Sequence, residues 1–161
     1  MNIHHLYRQQ RLAMPLAEAW PFFSSPRNLE PMTPDYLHFR ITSDVPAEIH
    51  PGLIITYRIA AVANIPMTWV TEISHVIPGQ QFVDEQRLGP FRFWHHLHRF
   101  SPVEGGVLME DSVYYVMPGG IMGELLHRGF VKARLEHIFD FRQAWLNQRF
   151  NPSVSGGEVV A

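Results

Sequence analysis

Alternating apolar and polar positions run through the middle of the chain and predict a β-sheet. From Phe82 to Tyr115, one set of alternate positions is mostly aromatic or aliphatic, even-numbered up to Phe100 and odd-numbered from Met109, whereas the positions between carry most of the charged side chains. Successive side chains of a strand point to opposite faces, so the first set is predicted to face inward. The inward positions are Phe82, Asp84, Gln86, Trp94, His96, His98, Phe100, Met109, Asp111, Val113 and Tyr115.

Turn residues divide this alternation into an antiparallel meander. Pro78-Gly79, residues 88–91 and residues 103–106 mark successive hairpin connections. Alternation also predicts strands within residues 3–10, 36–42, 53–59 and 67–74. Between the first two of these, residues 15–23 and 26–30 are predicted to form two short helices. We therefore expect about seven strands, with two short helices after the first.

Helical periodicity replaces alternation after Gly119-Gly120 and continues to about Arg149. This predicts one long helix of roughly 28 residues, about 40 Å in length. Arg128, Lys132 and Arg134 lie mostly off its broad apolar stripe. The stripe comprises Leu125, Leu135, Ile138, Phe139, Arg142, Trp145 and Leu146.

The order of elements predicts an α+β fold in which a curved antiparallel sheet wraps around the long C-terminal helix. Residues 1–150 are expected to form a single ligand-binding domain, and residues 151–161 a mobile tail. The segments FVDEQRLGPFRFWHHLHRF, GGVLMEDSVYYVMPGG and LEHIFDFR resemble the SRPBCC superfamily of START-like, helix-grip proteins. The resemblance is strongest to bacterial ligand-binding or polyketide cyclase/dehydrase-like members. It implies lipid carriers, receptors or cyclases as functional classes, without choosing among them.

The amino-acid composition argues against several functional classes. The formal charge of -2 and the lack of any long Lys/Arg run argue against a nucleic-acid partner. The chain has no cysteine, which excludes disulfides and thiol catalysis. A polar N-terminal segment and the lack of a long apolar run predict a cytoplasmic protein that is not integral to a membrane. No cofactor fingerprint is present, and the protein is expected to be a monomer or a homodimer.

Two histidines and two acids share the inward face. A tight turn at Glu104-Gly105 would place His98 opposite Asp111, and a looser preceding connection would place Asp84 opposite His96 and Gln86 opposite Trp94. These groups fit either acid–base catalysis or a satisfied hydrogen-bond network. The His-x-His pair is weak evidence for a metal, and none is predicted. His4 and His5 are expected at the surface.

The leading hypothesis is that a small hydrophobic ligand, a lipid, polyketide or other aromatic compound, lies between the sheet and the last helix. The candidate lining residues are Tyr57, Trp69, Gln86, Trp94, Phe100, Val113, Tyr115, Leu125, Leu135, Phe139 and Arg142. Arg142 would either extend towards solvent or reach a ligand carboxylate. One alternative is a cyclase or dehydratase that uses Asp84, His96, His98 and Asp111. Another is a regulatory protein-binding module in cell division or stress.

Overall fold

Seven strands form one antiparallel sheet, and the final helix lies across its concave face in a computed structural model that describes residues 2–62 and 65–151. The strand order is β1–β7–β6–β5–β4–β3–β2. The strands are β1 (His4–Leu12), β2 (Arg40–Ile41), β3 (Leu53–Val62), β4 (Ile65–Ile77), β5 (Gln81–Leu88), β6 (Phe93–Val103) and β7 (Gly106–Val116). The α-helices are α1 (Leu16–Phe23), α2 (Gly120–Leu126) and α3 (Lys132–Phe150).

This architecture confirms the predicted α+β helix-grip fold, with two local differences. The strand expected within residues 36–42 is only two residues long, because Asp35–Leu37 form a 3₁₀ helix that ends at His38, with φ 46°. A further 3₁₀ helix, Pro26–Leu29, follows α1 as expected. The final helix is not uniform, since the π-helical turn His127–Val131 joins α2 to α3. Apart from Asn151, the predicted tail lies outside the described residues.

The register of β6 and β7 follows from their tight turn. Val103 pairs with Gly106, and Gly105 between them has a positive φ of 73° that an L side chain rarely adopts. The predicted pairing of His98 with Asp111 is therefore confirmed, as is that of Asp84 with His96. The described β5–β6 ladder ends at Glu85 and His95, so Gln86 is not paired with Trp94 as expected.

Strong curvature leaves the sheet with two separate apolar cores. Register shifts in β4, between Val70 and Thr71 and between Ile73 and His75, bend the sheet as β-bulges do. One core lies under α1 and includes Trp20 and Phe100. The other joins α3 to β1, β6 and β7, and a cavity remains between the two.

We expect Gly106→Ala to lower the free energy of unfolding by about 2 kcal/mol, a typical cost of overpacking. A Cβ at this position would collide with the backbone carbonyl of Leu12, so β1 and β7 would have to separate. Chemical denaturation measures the change.

Gly129→Ala is the matched control, because a Cβ there has no neighbouring atom within 4 Å. This substitution is expected to leave stability unchanged or raise it by up to about 1 kcal/mol, since alanine favours helix. Equal effects of the two substitutions would contradict the proposed close approach of β1 to β7.

Candidate functional site

A cavity of about 400 Å³ lies between the concave face of the sheet and the last helix. Its volume is within the range of small-molecule binding pockets. Most of its wall is apolar or aromatic: Leu29, Met32, Leu37, Phe39, Ile55, Tyr57, Trp69, Ile73, Phe82, Phe91, Trp94, Met109, Leu126, Phe130, Val131, Leu135, Ile138 and Phe139. The acidic, imidazole and guanidinium side chains in the wall are Asp84, His96, His98, Asp111, Arg134 and Arg142.

Six of the candidate ligand-binding residues lie in this wall: Tyr57, Trp69, Trp94, Leu135, Phe139 and Arg142. Phe100, Val113 and Tyr115 have the expected inward orientation but are buried in the two cores. Phe100 is covered by Phe23, with ring centroids 5.1 Å apart, and Val131 and Leu135 pack in the core that contains Val113. Parity assigns a side chain to a face, but it does not determine which element covers that face.

Gln86 and Leu125 are also outside the cavity wall. The Gln86 side chain donates a hydrogen bond to the Phe91 carbonyl at 2.6 Å and accepts one from the Phe91 amide at 3.2 Å, closing the β5–β6 connection. Leu125 is 65% exposed, so its placement in the cavity was wrong. The π-helical turn after it holds more residues per turn than an α-helix, which changes the helical phase and brings Leu126 to the wall instead.

Four side chains on β5, β6 and β7 form a closed ring of contacts. His96 Nε2 lies 2.9 Å from Asp111 Oδ1, and His98 Nε2 lies 2.8 Å from Asp84 Oδ2. The second nitrogen of each histidine contacts the other acid, at 3.2 Å between His96 Nδ1 and Asp84 and 2.9 Å between His98 Nδ1 and Asp111. Each aspartate therefore bridges both imidazoles.

Charge compensation makes this buried ring favourable. Burial alone would raise the pKa of Asp84 and Asp111, but the adjacent histidines outweigh burial and hold both pKa values well below the usual range. Burial would likewise lower the pKa of His96, yet the Asp84 charge and hydrogen bonds to both acids raise it to about 9. His96 is therefore an imidazolium at neutral pH, bound on both sides by carboxylates.

Trp94 completes the polar group on the sheet side of the cavity. Its indole Nε1 donates a hydrogen bond of 3.2 Å to Asp84 Oδ1, the carboxylate oxygen that the histidines do not contact. The Trp94 ring also meets Trp69 edge-on at 5.3 Å. One side chain thus serves both the polar network and the aromatic wall.

Two arginines of α3 face the cavity from the helix side. Arg142 was expected there, whereas Arg134 was assigned off the apolar stripe and nevertheless lines the wall. The Arg134 guanidinium lies 4.2 Å from the centroid of the Tyr36 ring, and that of Arg142 lies 5.1 Å from the Phe139 ring. Within residues 2–62 and 65–151, the buried Nε of each arginine has no hydrogen-bond partner.

A second polar cluster, missed by the sequence analysis, joins β1 to the final helix. His4 is not fully exposed as expected, because it stacks on His127 with ring centroids 3.6 Å apart and contacts Glu124 at 3.1 Å. His127 Nε2 lies 2.8 Å from the Tyr115 hydroxyl. Burial and the His4 charge lower the pKa of His127. Contacts between a strand near residue 4 and a helix near residue 127 leave no periodic signal in the sequence.

The described residues contain two groups with ligand atoms close enough to hold a metal ion. They are Asp84, His96 and His98 in the cavity wall, and His4, Glu124 and His127 at the start of the final helix. In the first group each imidazole nitrogen already faces a carboxylate oxygen, so a metal would have to displace those contacts. The contacts of this group are those of a hydrogen-bonded ion-pair network between histidines and aspartates.

No protein-family model matches the chain, and no curated protein matches it in sequence. Solved structures share its fold at low identity. A putative uncharacterized protein from Rhizobium leguminosarum has a TM-score of 0.66 at 15% identity, covering 91% of this chain and 96% of its own. Ara h 8.0201 has a TM-score of 0.57 at 14% identity, with 91% and 99% covered.

A third similar structure is StfQ, described as a di-domain ARO/CYC from the steffimycin biosynthetic pathway. Its TM-score is 0.62 at 12% identity, and the match covers 91% of this chain and 52% of StfQ. These likenesses, together with the sheet and helix described above, define a START-like, helix-grip fold. None of the described helices combines the length and the apolar character that crossing a membrane requires.

We expect the stability of the protein to fall as the pH rises through about 9. The pKa of His96 is raised above its ordinary value of 6.5, so the stabilisation is complete below that value and is lost as the folded-state pKa of about 9 is passed. The loss from about pH 6 to about pH 10 is on the order of 3 kcal/mol. Urea denaturation at a series of pH values measures it.

The variant His96→Gln should lose most of this pH dependence, while His95→Gln on the outer face should keep it. His95 is paired with Glu85 and is half-buried, which makes it a neighbour in sequence with a different environment. A wild-type stability that stayed flat across this pH range would contradict the assigned charge state of the ring.

Proposed function

We propose that the protein binds a small hydrophobic molecule non-covalently in the cavity between the sheet and α3 and acts as its carrier. The observation that carries this proposal is the apolar cavity of about 400 Å³ itself. A folded protein keeps a space of this size against close packing only at a cost, which a bound apolar molecule would offset by filling it.

The aromatic side chains of the wall favour a lipid, a polyketide or other aromatic compound as the ligand. Trp69, Phe91 and Trp94 form one aromatic group, with Phe91 and Trp94 ring centroids 4.9 Å apart. Phe39 and Tyr57 form a second pair, at 4.9 Å. Flat rings of this kind offer large apolar contact areas and accept either an acyl chain or an aromatic ring.

The contacts within the polar ring on the sheet favour ligand binding over catalysis. Asp84, His96, His98 and Asp111 contact one another, so an apolar molecule can enter the cavity without leaving their charges unpaired. A general acid or base, in contrast, must have a donor or acceptor atom within hydrogen-bonding reach of the substrate.

Filling part of the cavity should weaken binding. We expect Ile138→Trp to reduce the affinity for the neutral fluorescent probe N-phenyl-1-naphthylamine at least about 10-fold, because the larger side chain occupies ligand space. Fluorescence titration measures the affinity. Ala133→Trp, on the exposed side of the same helix, is the matched control and should bind the probe as the wild type does.

Wild-type protein that failed to bind either the probe or a panel of uncharged lipids and aromatic compounds would overturn the proposal. Equal loss of binding in both tryptophan variants would also count against it, because the effect would then not arise from the cavity. Circular dichroism of each variant verifies that the fold is retained.

A cyclase or dehydratase activity is the second candidate, favoured by the position of two groups in the wall. The side chains of Asp84 and His98 are 19% and 13% exposed, so both are accessible from the cavity. If they transfer protons, wild-type protein should accelerate cyclisation of a synthetic poly-β-ketone, and His98→Gln should abolish the acceleration. Product analysis by mass spectrometry tests this, and a rate equal to that in buffer would exclude this reaction.

A further inference from the structure

We propose that the natural ligand is an amphipathic carboxylate, and that Arg142 on α3 binds its carboxylate group. This inference rests on the proposed ligand-binding function and specifies the chemical class of the ligand. Arg142 reaches the cavity wall from α3, where its neighbours on the helix face are Ile138 and Phe139. Arg134 lies about two turns earlier on the same face.

The charges in the wall are unequally distributed between the sheet and the helix. On the sheet side, the two aspartates are matched by the two histidines that they contact, and His96 carries a positive charge. On the helix side, Arg134 and Arg142 have no ion pair with any residue in the described ranges 2–62 and 65–151. Even with His98 uncharged, the cavity wall therefore carries a net positive charge.

Arg142 is half-buried, and its Nε is shielded from solvent. A cation beside an apolar wall is stabilised by a contacting anion more than a fully exposed cation is, because the effective dielectric is lower there. The buried Nε–H of Arg142 has no acceptor among the described residues, and an unsatisfied buried donor is costly. A carboxylate that entered the cavity would supply both the missing charge and the missing acceptor.

The geometry of arginine suits this role. Rotation of the side chain would present Nε–H and one Nη–H as parallel donors, the arrangement that binds a carboxylate through both oxygens. Arg134 is a weaker candidate, because its guanidinium already stacks at 4.2 Å over Tyr36 and lies 5.5 Å from the Phe130 ring. It lies eight residues away, about 12 Å along the helix, so one small carboxylate cannot bind both.

The aromatic groups on the other side of the cavity would hold the apolar part of the same ligand. Trp69 and Trp94 lie on the sheet wall, opposite the helix that carries Arg142. The ligand would thus be oriented with its charged end at α3 and its acyl chain or ring system against the tryptophans.

A matched pair of ligands tests the inference. Dodecanoic acid and dodecan-1-ol share one chain and differ in the headgroup charge, so calorimetric titration of each at about pH 7.5 isolates the contribution of the carboxylate. We expect wild-type protein to bind the acid about 10-fold or more tighter than the alcohol, as a charge-assisted hydrogen bond provides. Arg142→Met should remove this preference while changing alcohol affinity less than about 3-fold.

Arg128→Met is the matched control, since Arg128 is an exposed arginine in the π-helical turn before α3 and lies outside the cavity wall. It should retain the full preference for the acid. If Arg142→Met does not fold, Arg142→Lys retains the charge without the paired donors and should show an intermediate preference.

The outcomes separate this inference from the proposed function. Binding of neither compound, nor of the neutral probe, would overturn the proposed function and the inference with it. Equal affinities of the wild type for acid and alcohol would overturn the carboxylate assignment while leaving hydrophobic binding intact. A preference that survived in Arg142→Met would show that Arg142 is not the group that binds the carboxylate.

Discussion

The ring of two aspartates and two histidines is the constraint on which the rest of the site depends. It links β5, β6 and β7 across the concave face, so side chains from three strands must meet within 2.8 to 3.2 Å. Removing one histidine would leave two buried carboxylates sharing a single imidazole, and breaking a buried ion pair typically costs about 3–5 kcal/mol. The curvature and the register of these strands are therefore coupled to the electrostatics of the cavity.

This coupling offers a physical reason why the cavity stays open. An apolar sheet face would gain free energy by collapsing onto the apolar stripe of α3, as the second core does around Val113 and Leu135. The polar ring would not gain this free energy by packing against α3, because its side chains form their hydrogen bonds and ion pairs with one another. Phe139 meets the His96 ring edge-on at 5.6 Å, and this contact marks the boundary between the packed core and the open space.

Local patterns were enough to predict the fold and the meeting of the ring residues. Alternation identified the inward face, and the tight turn at Gly105 determined which residues of β6 and β7 are opposite each other. The covering of that face depends on long-range packing, which is why Phe100 and Tyr115 were placed in the cavity wall and lie in the cores instead. The π-helical turn has no periodic signature, so Leu125 was misplaced. Arg134 follows that turn and lies four residues before Ile138 in α3, so the helical period does place it on the cavity face, and its charge was the reason it was assigned elsewhere.

The two walls of the cavity differ in their electrostatic state, and the difference follows from their secondary structure. Neighbouring strands bring side chains of opposite charge within contact distance, so the acids and histidines of the sheet can neutralise one another. A single helix offers partners only three or four residues away, and at those distances Arg142 has Ile138, Phe139, Trp145 and Leu146. Unmatched charge therefore remains on the helix side, and this asymmetry would orient any amphipathic molecule in the cavity.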